Sequence, residues 1–234
     1  MAAKITGISS MATRQLLVEL GGAFRQKTGL SVAIESVGGV DAARRIRAGE
    51  SFDLIVLADE AMKQLEADGW LKAGSRAAFA ESEIAVAIRS GAKHPALADE
   101  AATRAAILAA KSICYSTGPS GTHLIRLLEK WGIDQLMSGR ILKAPPGVPV
   151  ASLVARGEAE LGFQQFSELL DVPGIEIAGP LPRELQSVTL FSCGVGARAF
   201  NEIGAQDLIG YLTSVDAEAP KRGCGMKPVR SSRD

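Results

Sequence analysis

The chain has 234 residues, 47% of them apolar, with 26 Lys and Arg against 26 Asp and Glu. That is ample core for one large α/β unit or for two lobes of about 110 residues each, while the balanced charge removes any electrostatic case for nucleic acid, polyanions or an anionic membrane. Aromatics are few and scattered, which excludes a base-stacking platform, and no apolar run approaches the ~18 residues that a membrane span needs.

The amino terminus lacks the positive segment and apolar core of a secretory signal. The chain as written is therefore expected in the cytoplasm, or in the periplasm where a signal has been trimmed and replaced by an initiator Met. The three cysteines, Cys114, Cys193 and Cys224, are odd in number, form no CxxC pair and have no His at ligand spacing. Neither a disulfide framework nor a metal site is expected, and no cofactor is called for. Cys114 and Cys193 sit in strand-like contexts and read as small buried apolar residues.

Strand and helix patterns alternate throughout, which predicts α/β layers around largely parallel strands. Residues 4–7 have strand character and lead through Ile8 to Ser9-Ser10, directly before a helical pattern over 11–27 that stops at Thr28-Gly29. A Ser there is an N-cap signal, and two hydroxyls beside free N–H groups at a positive dipole end also make a place for an anion. A second strand over 31–37 breaks at Gly38-Gly39, a helix over 41–48 stops at Gly49, and 52–58 is a continuous apolar run of the kind parallel sheets bury. Another helix follows over 59–68. One long strand over 82–91 opens a different section, followed by an Ala-rich helix (100–110), a strand (112–116), the TGPSG turn and a helix over 122–131. A helix from about Asp134 leads to a Pro-rich loop at 144–149, then a helix from Val150, a strand over 160–165, and a loop at 173–182 holding one short strand. A second long strand over 187–196 and a helix over 205–213 end the ordered pattern, and everything after Gly223 is polar and basic and expected to fray.

Four places join a strand end to a small-residue turn and a helix start: Ile8-Ser9-Ser10, Val37-Gly38-Gly39-Val40, residues 116–122, and residues 149–152. The third is dense in hydroxyls, Ser116, Thr117, Ser120 and Thr122, and its Gly118 and Gly121 permit close backbone approach. In an open α/β sheet such turns lie at the carboxyl ends of strands, where ligands bind. The turn lacks both GxxxxGK[ST] and GxGxxG, so it is not read as a nucleotide loop.

The segments ISSMATRQL, VGGVDAARRIRAGESFDLIVLAD, YSTGPSGTHLIRLLEKWGI and PVASLVARGEAELGFQQFSELL resemble the molybdate-binding-protein-like branch of the type II solute-binding fold. The resemblance implies two α/β lobes, 1–81 with 194–234 and 82–193, joined by crossing strands at 82–88 and 187–193. It implies a small anion bound between the lobes with hinge closure, and an ABC-transporter permease as partner if the chain is exported. In molybdate-binding relatives hydroxyls and N–H groups from five loops hold the oxyanion. Ser10 keeps its hydroxyl here. The second-loop Ser positions fall on Gly38 and Gly39, with Val40 next; Pro119, Ser120 and Gly121 match the lobe-two loop; a helix start falls on Val150; and the Tyr position falls on Gln165. Missing hydroxyls, added room and an amide at Gln164 or Gln165 suit a planar polycarboxylate better than a compact oxyanion.

The YS…SG…GFQQ…SELL pattern is also similar to an aconitate-isomerase-like group, which implies an alternative reading as an enzyme that shifts a double bond by a 1,3 proton transfer. That chemistry needs a carboxylate clamp and one general base. Tyr115, His123, Glu168 and Asp41 are the candidates for the base, while Arg14 and Arg126 could meet carboxylates bidentately. Each also has a plainer role: His123 as a solvated side chain, Glu168 as a first-turn carboxylate complementing a helix dipole, and the arginines as solvated helix faces.

Overall fold

The computed structural model describes residues 4–145 and 147–229. It separates into two compact units, Met1–Ser82 with Thr189–Asp234 and Glu83–Val188. Each contains a mixed sheet flanked by helices. No helix among the described residues is long and apolar enough to cross a membrane.

Elements are numbered along the chain. Unit one contains β1 (Lys4–Ser10), α1 (Arg14–Thr28), β2 (Ser31–Val37), α2 (Gly39–Arg47), β3 (Leu54–Ala58), α3 (Asp59–Ala67), β4 (Ala77–Ser82), β10 (Thr189–Val195), α9 (Glu202–Leu212), α10 (Glu218–Gly223) and β11 (Lys227–Pro228). Its sheet runs β11-β4-β10-β3-β1-β2. β1 pairs in parallel with β2 and β3, and β10 runs antiparallel to β3 and β4. The period-two rule explains the two cores. Leu54 and Val56 of β3 face one way, onto Leu16, Leu20 and Phe24, while Ile55 and Leu57 face the other, onto Ile46 and Met62. Each such side chain contributes about 1.5–3 kcal/mol by burial.

Unit two contains β5 (Ile84–Arg89), α4 (Glu100–Ala109), β6 (Ile113–Tyr115), α5 (Pro119–Lys130), α6 (Asp134–Met137), β7 (Ile141–Lys143), α7 (Val150–Ala155), β8 (Leu161–Gln165), α8 (Phe166–Leu169) and β9 (Ile175–Pro180). Its sheet runs β7-β6-β8-β5-β9, with β6 parallel to both β7 and β8. Val86, Ile88 and Phe163 pack with Leu124 and Leu128 on one face; Ala85 and Ala87 pack with Val150 and Val154 on the other. Gly162 is required here, because a Cβ would come within 2.6 Å of Val154 Cγ2.

The structure departs from the sequence reading at several points. The strand expected over 82–91 is β5, shorter at both ends, and Ser82 instead ends β4 of the other sheet. Thr189–Val195 pairs with β3 and β4, so 189–193 belongs to unit one and the expected boundary at Gly194 moves to Thr189. The Ala-rich β4 has little intrinsic strand preference; its two neighbours β10 and β11 make it a strand. The tail after Gly223 does not simply fray. Met226 is buried, and β11 pairs Lys227 with Glu81 and Pro228 with Ala80, the edge position that Pro tolerates. α5 begins three residues earlier than expected, with Pro119 in its first turn. Pro146 of the Pro-rich loop and residues 230–234 of the tail lie outside the described residues. All three cysteines are buried, and none is in a disulfide.

Candidate functional site

In unit one the parallel register sets Ser10, the last residue of β1, beside Val37 of β2. The chain then passes through Gly38 into α2, so that a Cβ on Gly39 would meet Ser10 Cβ at 3.8 Å. Ser9 Oγ is occupied by Ser36 Oγ at 2.8 Å. Ser10 Oγ is buried and has no partner. The expected cap is not made. Met11–Thr13 form a 3-10 turn, and the bond at this corner is Thr13 Oγ1 donating to Ser10 O at 3.1 Å. A buried hydroxyl left open costs about 1–3 kcal/mol and is rare without a purpose. Val40, one residue on, is an exposed apolar side chain beside the free N–H groups of α2.

The third parallel strand end of this unit has no open group. Asp59 opens α3 with Ser192 Oγ and Arg76 Nη1 each at 2.6 Å and Lys63 Nζ at 3.1 Å. Burial pushes its pKa up, and these partners more than offset it, leaving the carboxyl below its ordinary value. Asp41 pairs with Arg44 on the surface of α2, and Arg14 is an exposed residue at the start of α1. No feature of either indicates a chemical role.

In unit two β6 ends at Tyr115, and the chain turns through Ser116 and Gly118 into α5. Only glycine fits at 121, since a Cβ there would lie 1.8 Å from Ser116 O and 2.6 Å from Tyr115 Cδ2. Ser120 is buried in the first turn, and Thr122 Oγ1 donates to Gly118 O at 3.3 Å. Tyr115, Ser116, Thr117 and Thr122, with the cations Arg126 and Lys143, line an open depression of about 360 Å³. One acid, Glu129, shares that lining. Val150 starts α7 fully buried, its carbonyl accepting a weak contact from Cys114 Sγ. His123 is not part of the lining; its Nε2 donates to Leu185 O at 2.7 Å, which gives the ring a structural task.

Gln164 and Gln165 end β8, both buried. The β6–β8 register pairs Tyr115 with Phe163, so Gln164 lies level with Ser116 along the same carboxyl-terminal edge. Gln164 Nε2 donates to Glu168 Oε1 at 2.8 Å. Burial of that carboxyl pushes its pKa up to about 7, with the Gln164 bond opposing. Glu168 does not line the depression, but its raised pKa is the property that a general base or acid needs. The pairing was not readable, because Gln164 ends a strand and Glu168 lies in the helix after it; Thr117 belongs to the turn already singled out, whereas Lys143 carried no signal, since β7 was not expected as a strand. Among the described residues no three His, Cys, Asp or Glu side chains are grouped to hold a metal ion.

Against known proteins, a family profile described as bacterial extracellular solute-binding protein matches residues 5–227. The chain belongs to that family. A relative named aconitate isomerase, from a Pseudomonas species, is 34% identical over 231 residues, spanning 96% of this chain and 88% of the relative. Two solved structures share the fold at lower identity. The periplasmic molybdate-binding protein of Azotobacter vinelandii is 19% identical with a TM-score of 0.80, over 97% of this chain and all of that one. The sulfate-binding protein SubI of Mycobacterium tuberculosis is 14% identical with a TM-score of 0.81, over 98% and 88%. The two-unit, mixed-sheet architecture of this solute-binding family member is thus the type II periplasmic binding fold.

Proposed function

We propose that the chain binds a small organic anion carrying more than one carboxylate. The observation that supports this is the depression of unit two, where four hydroxyls, two cations and the amino end of a twelve-residue helix meet in one concave surface. Hydroxyls and N–H groups serve any anion. A guanidinium adds a planar, two-pronged match to a carboxylate. Two separate cations suit charge spread over several groups, whereas a compact tetrahedral oxyanion would use one tight ring of donors. Gly38, Gly39 and Gln165 support the same direction by giving up hydroxyls that an oxyanion site would use. The relative named aconitate isomerase, at higher identity than the molybdate and sulfate binders, weighs towards a tricarboxylate. The family description favours an extracytoplasmic location and an ABC-transporter permease as partner.

Calorimetry and thermal shift with trans-aconitate, citrate, sulfate and molybdate test the reading. Polycarboxylates are expected to raise the melting temperature in proportion to ligand excess over Kd, and Arg126→Ala to weaken them about tenfold or more. Stabilisation by molybdate or sulfate alone, or by none of the four, refutes it. Ser10→Ala and Ser120→Ala, scored separately, report what each unit contributes.

A second reading, supported by the Glu168 carboxyl, is that the bound tricarboxylate is isomerised. Glu168 as carboxylate takes a proton from the allylic carbon, the double bond moves one position, and the acid so formed returns a proton to the far carbon. Composition is unchanged and no cofactor is consumed. Protein incubated with cis-aconitate in heavy water is expected to yield the trans isomer with deuterium at the new C–H, and Glu168→Gln to abolish turnover. No trans product from wild type leaves the chain a binder only.

A further inference from the structure

We infer that Glu129 selects among carboxylates: the anion held in the depression of unit two carries a hydrogen-bond donor, a hydroxyl or an ammonium, on the carbon that bears the carboxylate bound by Arg126. This narrows the binding reading above and rests on it. Thr122, Ile125, Arg126 and Glu129 are spaced i, i+3, i+4 and i+7 on α5, so they form one stripe along a wall of the depression. The rest of the lining comes from the end of β6 and from Lys143 of β7, which lies level with Tyr115. The stripe has a direction. Its amino end adjoins the hydroxyls of the turn and its middle holds the Arg126 guanidinium. Its carboxyl end holds the Glu129 carboxylate, three residues on and about 4.5 Å further along the helix axis.

None of these three charges is spent within the protein. Arg126, Glu129 and Lys143 are exposed and make no ion pair or hydrogen bond with any described residue, although residues three apart on a helix are within reach of each other. All three are therefore open to a ligand. An ionised carboxylate accepts hydrogen bonds and donates none. A ligand made of carboxylates alone meets Glu129 with like charge, and that repulsion subtracts from the pull of the two cations. A hydroxyl or ammonium in the same place donates to Glu129 instead, and a hydrogen bond to a charged acceptor is stronger than one between neutral groups. The short step from Arg126 to Glu129 fits a donor one carbon away from the bound carboxylate: the guanidinium takes the carboxylate in its fork, and the α-substituent faces the next turn.

The test is calorimetric titration of the wild-type protein with matched ligands at pH 8, where their carboxyl groups are ionised. Citrate and tricarballylate differ by one hydroxyl; L-malate and L-aspartate each add one donor to succinate. The expected result is a Kd about tenfold lower for citrate than for tricarballylate, and lower for malate and aspartate than for succinate. Aspartate ahead of malate identifies an ammonium-bearing ligand, and the reverse order a hydroxy acid. Glu129→Ala is expected to bring the Kd values for citrate and tricarballylate together. Glu129→Gln, which keeps an acceptor oxygen without the charge, is expected to retain part of the preference, and it supplies the comparison if the alanine variant does not fold. Equal affinity within every matched set, or a preference that both variants leave intact, overturns the role of Glu129 while the binding reading stands. Failure of all five ligands to bind overturns both.

Discussion

Half-buried Glu168 and buried Asp53 are two carboxyl groups that shape pH dependence in opposite senses. Glu168 has a folded-state pKa raised from 4.5 to about 7, so the folded protein binds its proton more tightly than the unfolded chain. Its charge is free of cost below pH 4.5; the penalty for burying it grows between 4.5 and 7 and is complete above 7, at about 3 kcal/mol. Glu168→Gln is therefore expected to raise the melting temperature at pH 8 and to change it little at pH 5. A variant equally stabilising at both values would show that the group does not titrate as argued. Asp53 is also buried, which raises its pKa, but Thr6 N, Thr6 Oγ1, Phe200 N and Asn201 N all donate to it and bring it below 3.8. Its contribution is present above the ordinary value of 3.8 and is lost as pH falls through the folded one. Asp53→Ala removes four bonds that tie β1 to the segment entering α9. A loss of about 2–4 kcal/mol and a melting temperature lower by roughly 5–10 °C are expected at pH 7, measured by thermal unfolding.

At the scale of elements, the turn between β6 and α5 depends on a close approach that only glycine allows. Gly121→Ala drives a methyl into Ser116 O, a backbone atom that cannot step aside without moving the turn. Overpacking of this kind costs about 1–3 kcal/mol, and here it also displaces the hydroxyls lining the depression, so anion affinity and stability are expected to fall together. Gly118→Ala is the control. Its Cβ would sit 3.6 Å from Ser116 Oγ at an ordinary φ of −76°, and it should leave both nearly unchanged in the same melting and titration experiments. Equal behaviour of the two variants would show that the turn tolerates what its geometry forbids.

Over the whole molecule, α1, α2, α3, α4, α7 and the parallel strands other than β7 were legible because each has a strong local signature: a left-handed Gly29 after α1, Gly49 after α2, and the unbroken apolar run of β3. The loops ending those strands were legible too, since Ser10, Gly38-Gly39 and the TGPSG turn are small residues placed where helices begin. Four things were not. β4 and β7 are short and weakly biased, and become strands only by pairing with β10 and β6. The tail reads as polar chain, yet Met226 is buried beside β11. His123 looks like a free imidazole until its bond to a carbonyl 62 residues away is seen. Glu168 looks like a dipole-complementing acid until its surroundings are known. The sequence by itself determined the alternation of strands and helices, the loops at the strand ends and the family resemblance, because periodicity, turn chemistry and spacing are local and act on neighbours along the chain. Only the tertiary structure decided which strand joins which sheet, which hydroxyl lacks a partner and which carboxyl keeps its proton, because pairing and desolvation depend on residues that the chain brings together from far apart.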